Sequence, residues 1–348
     1  MKSSFQPFLT VAAIGAVFAT SACQAGAPSG AGYVPNSSEA LAGAAAPRRS
    51  KDYLYAVTWN WDAGSGAVYY YNAYGKNTSS LGSLQISDGL PDGVWTDAHG
   101  NVYVAIVNTP NNNGRGYINE YTPGFGQLLQ TYTAGLDGPS GGTFDAAGNM
   151  YVANLCGTAP SISCSVFAKP KRGSSSGFSG YVSIYPAGKT SPSTYLATPI
   201  NAAVDVAVDK SNNVFVVNNT GGIAWNVIEF GAGSTQGKVV AFQHLPKQRW
   251  VGADTFAPNG SLVISVNNAV DLFPHERGRP ADQLTDGIYA ADGLAYGPDG
   301  TLFAGNYEFE QNEGDTVAFP PGSKSPARTY AVPYGNGVVE VAVGRASK

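Results

Sequence analysis

The sequence predicts an all-β protein, a six-bladed β-propeller of four-stranded blades, and three observations predict it. Charged residues make up only 13% of the 348-residue chain, while Gly (44), Pro (22) and Tyr (20) are abundant. That is the composition of short strands joined by tight turns. A D-x-x-G-N turn recurs between apolar runs, as Asp97-Ala98-His99-Gly100-Asn101 and Asp145-Ala146-Ala147-Gly148-Asn149. Two markers then repeat in step. The residue opening each turn is Asp97, Asp145, Asp209, Ala257 or Gly297; the aromatic closing each third strand is Tyr71, Tyr121, Tyr185, Phe230, Phe273 or Phe319. Both series advance by 40 to 50 residues, except for one step of 64. A four-stranded unit of this period is one blade, which buries its core only by stacking on the next.

Taken from the N-terminus, residues 1–22 read as an export signal. Lys2 supplies the positive end, an apolar run covers 8–19, and Thr20-Ser21-Ala22 are small. Cys23 follows directly, as in a bacterial lipobox, although Thr20 stands where Leu is usual. Lipid attachment at Cys23 is one expectation and ordinary cleavage near Ala22 or Ala25 the other. Residues 23–51 are rich in Ala, Gly, Ser and Pro and end in Arg48-Arg49-Ser50-Lys51. Such a segment cannot bury enough apolar surface to fold and serves as a flexible tether. The expected location is the cell envelope, periplasm or outer surface, with the lipid anchor as the one membrane contact.

Residues 52–348 are assigned to the propeller. Asp52–Val57 matches a blade's second strand and Val338–Val343 a first strand, so one blade is expected to combine both chain ends. In the next blade the strands are expected at about 93–97, 101–106, 116–121 and 127–132. The fourth turn position reads Gly100, Gly148, Asn212, Gly260 and Gly300, residues that tolerate the left-handed backbone needed there. The leading Asp can accept a hydrogen bond from the backbone two residues on. One insertion, 155–180, carries Cys156, Cys164 and the basic Lys169, Lys171 and Arg172. In an oxidising compartment a Cys156–Cys164 disulfide is the favoured reading; a metal site is weaker, since no His or third Cys lies nearby.

Over about residues 52–344 the repeats resemble NHL-type repeats and, more broadly, the six-bladed propellers of the regucalcin/gluconolactonase family. Pro91-Asp92-Gly93 and Ala291-Asp292-Gly293-Leu294-Ala295 resemble that family's Asp-bearing motif. Its E-G-P and N-G-L-A-W runs are absent, and Asn336-Gly337-Val338-Val339 is a distant echo of the latter. The resemblance implies a divalent metal at the channel mouth that polarises a lactone and activates water.

In a propeller the first strands line the central channel. Asp92, Asp205, Asp254, Asp292 and Glu340 lie at or near the starts of first strands, and Asn154, Asn218 and Asn306 end second strands. Asp92, Asp205, Asp292, Glu340, Asn154 and Asn218 are the candidate ligands for Ca²⁺ or another hard divalent ion, with Asp292 and Asp92 as catalytic candidates. The alternative is solvated channel-mouth acids and turn caps. On the loop face, Trp59, Trp61, Trp225, Trp250 and Tyr307 are candidate ligand-binding rings, or else packing between blades.

A net charge of −4 supplies no basic field, which argues against nucleic acid. The three histidines are dispersed, and no H-E-x-x-H, P-loop, EF-hand or dinucleotide motif occurs. Two functions remain. The first is a tethered, monomeric, non-catalytic module binding a protein, peptide or glycan on its loop face, with no cofactor required. The second is a metal-dependent hydrolase of the lactonase type.

Overall fold

A computed structural model describes residues 52–60, 64–107, 116–156, 180–221, 224–242, 251–308, 313–333 and 337–346. The signal segment, the tether with Cys23, Trp61, Trp250, Cys164 and most of the 155–180 insertion lie outside them. The described strands form six four-stranded antiparallel sheets. From the axis outward, blade 1 runs Val338–Arg345, Asp52–Asn60, Ser65–Asn72, Gly82–Ile86. Blade 2 follows as Leu90–Thr96, Val102–Val107, Tyr117–Tyr121, Leu128–Tyr132. Blade 3 is Pro139–Phe144, Met150–Asn154, Tyr181–Tyr185, Thr194–Leu196. Blade 4 is Ala202–Val208, Val214–Gly221, Ala224–Phe230, Gly237–Val239. Blade 5 is Val251–Phe256, Leu262–Val266, Ala269–Phe273, Asp282–Leu284. Blade 6 is Ala291–Tyr296, Leu302–Glu308, Glu313–Phe319, Arg328–Ala331. The first strand of each blade touches the first strands of both neighbours, which closes the ring.

Blade 1 is built as the sequence suggests, with Tyr55 opposite Ala342 and Val57 opposite Glu340. The chain's two ends are thus paired inside one sheet, and Asp52–Asn60 is not left as an edge strand of that blade.

The turns explain why the repeat folds this way. Gly100, Gly148, Asn212, Gly260 and Gly300 all have positive φ, between 62° and 88°. In the three Asp-led turns one Oδ1 accepts two backbone N–H groups: His99 and Asn101 onto Asp97, Ala147 and Asn149 onto Asp145, Ser211 and Asn213 onto Asp209. Where Ala257 and Gly297 open the turn, the acceptor moves two places along. Asn259 takes the Ser261 N–H and Asp299 the Thr301 N–H, both at 3.0 Å.

The core lies between blades, not within them. Six buried apolar clusters are found, one per seam; that between blades 2 and 3, for example, joins Trp95, Tyr103 and Ile118 to Met150, Val152 and Tyr185. Tyrosines bring apolar rings into these seams and carry a hydroxyl that finds a carbonyl across them. The Tyr71 hydroxyl of blade 1 donates to Ala331 O, and that of Tyr330 in blade 6 donates to Ala73 O. The Gly124 N–H beyond blade 2 donates to the Tyr55 hydroxyl at 2.9 Å.

Candidate functional site

Every first strand carries a register shift at the same height. It falls between Pro91 and Gly93, Pro139 and Gly142, Ala203 and Asp205, Val251 and Asp254, and Ala291 and Leu294, and opposite Val57/Thr58 in blade 1. A β-bulge bends its strand and re-aims the side chains beside it. The channel acids stand at these bulges. Asp92 and Asp292 occupy the unpaired positions; Asp205, Asp254 and Glu340 are the first paired residues after them.

Glycines make room for the carboxylates. A Cβ on Gly141 would lie 2.0 Å from Asp205 Oδ1, one on Gly252 2.2 Å from Asp292 Oδ1, and one on Gly293 2.6 Å from Glu340 Oε1. Each of these three acids therefore rests over a glycine of the preceding blade. Asp205 also accepts the Asp254 N–H at 3.0 Å, and Glu340 accepts the N–H of Val341 at 2.8 Å.

The electrostatics are one-sided. Burial, then repulsion from Asp292, pushes Asp92 up from the usual carboxylate range to about 8. Burial is the leading cause for Asp205, Asp254 and Glu340, which are also raised. Asp205 repels Asp254, and Asp205, Asp292 and Asp92 all repel Glu340. Among the described residues, no lysine or arginine is among the causes of these shifts. Asp254 is the extreme case: it is 3% exposed, and neither carboxylate oxygen has a hydrogen-bond partner.

A cavity of about 270 Å³ lies on the axis, lined by the first strands of all six blades. Asp205, Asp254 and Glu340 line it; Asp92 and Asp292 do not. It extends to Thr96, Val208, Phe256 and Tyr296, the last residues before the D-x-x-G-N turns. Its described extent is thus on the turn side of the ring, away from the second-to-third-strand loops.

The candidate metal ligands do not all share this surroundings. The Asn154 oxygen accepts the Asp137 N–H, and its amide donates to Val152 O and Ser183 Oγ. The Asn218 oxygen accepts the N–H groups of Asn201 and Ala202, and its amide donates to Asn226. Asn306 braces the loop ahead of blade 6 in the same way, through Tyr289, Gly287 and Asp315. These carboxamides hold the chain as it enters a first strand. Among the described residues no group of three or more His, Cys, Asp or Glu side chains is arranged to hold a metal ion.

The rim rings are placed by strands longer than the repeat suggests. Blade 1's second strand runs to Asn60 and blade 6's to Glu308, so Trp59 and Tyr307 lie inside them. Both are buried, their rings in edge contact at 6.2 Å, and the Trp59 indole N–H donates to Pro91 O. Trp225, on blade 4's third strand, packs against the seam with blade 5. Cys156 is buried beside Gly138.

No family model matches the chain. No curated protein matches it either. Solved structures do resemble it. A chain of a nidogen/laminin complex superposes with a TM-score of 0.57 at 11% identity, covering 85% of this chain and 99% of that one. A protein of unknown function from Bacteroides caccae gives 0.59 at 13% identity, covering 85% and 100%. At such identities the likeness is one of fold, a six-bladed propeller.

Proposed function

We propose that the protein is an exported, surface- or membrane-tethered propeller that works as a non-catalytic binding module for a protein, peptide or glycan. The observation that carries this reading is the axial cavity, whose wall holds buried carboxyl groups and, among the described residues, no lysine or arginine. Burial holds these carboxyl groups protonated, and a ligand that supplies the opposite charge lets them ionise and is bound with gain. The nidogen/laminin resemblance supports a protein partner in the sense that a propeller of this shape occurs in a protein complex. Export, the Cys23 anchor and the Cys156–Cys164 disulfide belong to the same reading and rest on the sequence alone.

The lactonase-type hydrolase is the second reading, favoured by Asp92, Asp205, Asp292 and Glu340 lying close enough to one another that Asp205, Asp292 and Asp92 all repel Glu340. Thermal unfolding with Ca²⁺, Mn²⁺ or Zn²⁺, against a chelator, separates the two. The binding reading expects no shift in midpoint that Asp292→Asn abolishes. A metal-dependent rise lost in Asp292→Asn, together with lactone hydrolysis, would establish the hydrolase instead.

A further inference from the structure

We infer that a second cavity, between blades 2 and 3 on the turn side of the ring, binds a small quaternary ammonium ligand. Its trimethylammonium head would be held by four aromatic rings and a carboxylate. The cavity shares no lining residue with the axial one, and the inference stands apart from the binding reading above.

The site is built where blade 2 departs from the repeat. The residue before the aromatic that closes the third strand is Ile184 in blade 3, Leu272 in blade 5 and Ala318 in blade 6, but Glu120 in blade 2. Blade 4 has Glu229 there, paired with Lys238 at 3.2 Å. On the fourth strand, Leu196 of blade 3 and Leu284 of blade 5 stand where blade 2 has Tyr132. Blade 2 thus brings a carboxylate and a phenol into a seam position that blades 3 and 5 fill with aliphatic groups. A cavity of about 210 Å³ lies there. Tyr103, Glu120 and Tyr132 line it from blade 2, and Phe144, Met150 and Tyr185 from blade 3. The rings are crossed, Tyr103 on Phe144 at 5.0 Å and 64°, Tyr132 on Tyr185 at 5.9 Å and 85°.

The hydrogen bonds of the acids select the ligand. Glu120 accepts the Tyr132 hydroxyl at 2.9 Å, the Asn101 amide at 3.3 Å and the Tyr103 hydroxyl. Asp97, in the same wall, accepts the N–H groups of His99 and Asn101 and the Asn101 amide. Burial is the leading cause that raises both acids above the usual carboxylate range, and among the described residues no lysine or arginine is a cause. These carboxylates offer charge but few free acceptor positions, which leaves the three N–H donors of a primary ammonium short of partners. A quaternary ammonium has no N–H to satisfy. It is held by charge and by aromatic rings, the chemistry this wall presents. Size agrees, since a cavity of about 150 Å³ takes benzene, whose bulk a trimethylammonium head roughly matches. Lys189, exposed in the lining, suits an anionic group on the same ligand.

The head has two sources, choline and its phosphate ester. The test is calorimetric titration of the full chain at pH 8 with choline and, separately, with phosphocholine. The control probe is 3,3-dimethyl-1-butanol, which replaces the nitrogen of choline by carbon and carries no charge. Saturable binding of at least one cation, about tenfold or more tighter than the alcohol, is expected; the tighter cation identifies the source. Glu120→Gln keeps the side chain's shape, removes its charge, and should weaken binding by about tenfold. Glu229→Gln, at the same place in blade 4, should leave it unchanged. Four results overturn the inference: no binding of either cation, equal binding of the alcohol, full binding by Glu120→Gln, or equal loss in Glu229→Gln. Should Glu120→Gln fail to fold, Phe144→Leu, at a half-buried ring, decides. It must weaken the cation more than the alcohol; an equal loss of both overturns the inference.

Discussion

A single oxygen position organises each hairpin turn. Asp97, Asp145 and Asp209 fill it from the first place of the turn, and Asn259 and Asp299 fill it from the third. What the repeat preserves is an acceptor beneath the turn's amides, whichever residue brings it. Asp145→Ala removes four hydrogen bonds, from the N–H groups of Ala147 and Asn149 and the side chains of Asn149 and Tyr151, and is expected to lower stability by about 2 kcal/mol in urea unfolding. An unchanged midpoint would show that solvent serves those donors equally well. Turn chemistry is local, so it was readable from five residues at a time. The acids were readable only as residue types. That both oxygens of Asp254 lack a partner depends on what five other blades bring to the axis, which no local window contains.

At the scale of the strand, the bulge is the feature that sequence reasoning missed. It recurs in all six first strands, yet its residues are as different as Asp92, Ser140-Gly141 and Val204. With no shared residue type it leaves no motif, although a small residue within two places of it in most blades is a faint signal. Close approach between first strands is the physical demand. A Cβ on Gly93 would fall 1.5 Å from the Ser140 carbonyl oxygen. Gly93→Ala is therefore expected to force blades 2 and 3 apart and to destabilise by about 3 kcal/mol. Gly233→Ala, which has positive φ but no atom within 4 Å, should cost about 1 kcal/mol. Equal losses in urea unfolding would mean that backbone strain, not interblade contact, sets the penalty. Strand length was misjudged for the same non-local reason. Apolar packing across seams extends the second strands of blades 1 and 6, drawing Trp59 and Tyr307 out of the loops and into the core.

For the whole molecule, the acidic axis sets the response to pH. Asp92 has a native pKa of about 8 against an unfolded value near 3.8, and Asp205, Asp254 and Glu340 are raised with it. Below about pH 4 both states are protonated and these groups contribute nothing. Between about pH 4 and pH 8 the native state holds protons that the unfolded chain has released, so stability falls as pH rises. Above about pH 8 the native Asp92 ionises as well and its loss is complete. The unfolding midpoint should therefore be higher at pH 5 than at pH 8. Asp92→Asn should gain at least about 1.4 kcal/mol at pH 8, the worth of one pKa unit, and flatten the profile. A midpoint that climbs steadily from pH 5 to pH 8 would show that the axis is compensated in solution.

The clasp in blade 1 has a mechanical meaning. The strand that first follows residue 51 is neither an edge nor an outer strand; Asp52–Asn60 is held by Val338–Arg345 on one side and Ser65–Asn72 on the other. A pull arriving along the preceding chain runs parallel to both ladders and loads their hydrogen bonds together in shear, not one after another as in peeling. The ring is thus gripped at the place where an attached chain would tug on it, and the force is shared by residues from both ends of the sequence.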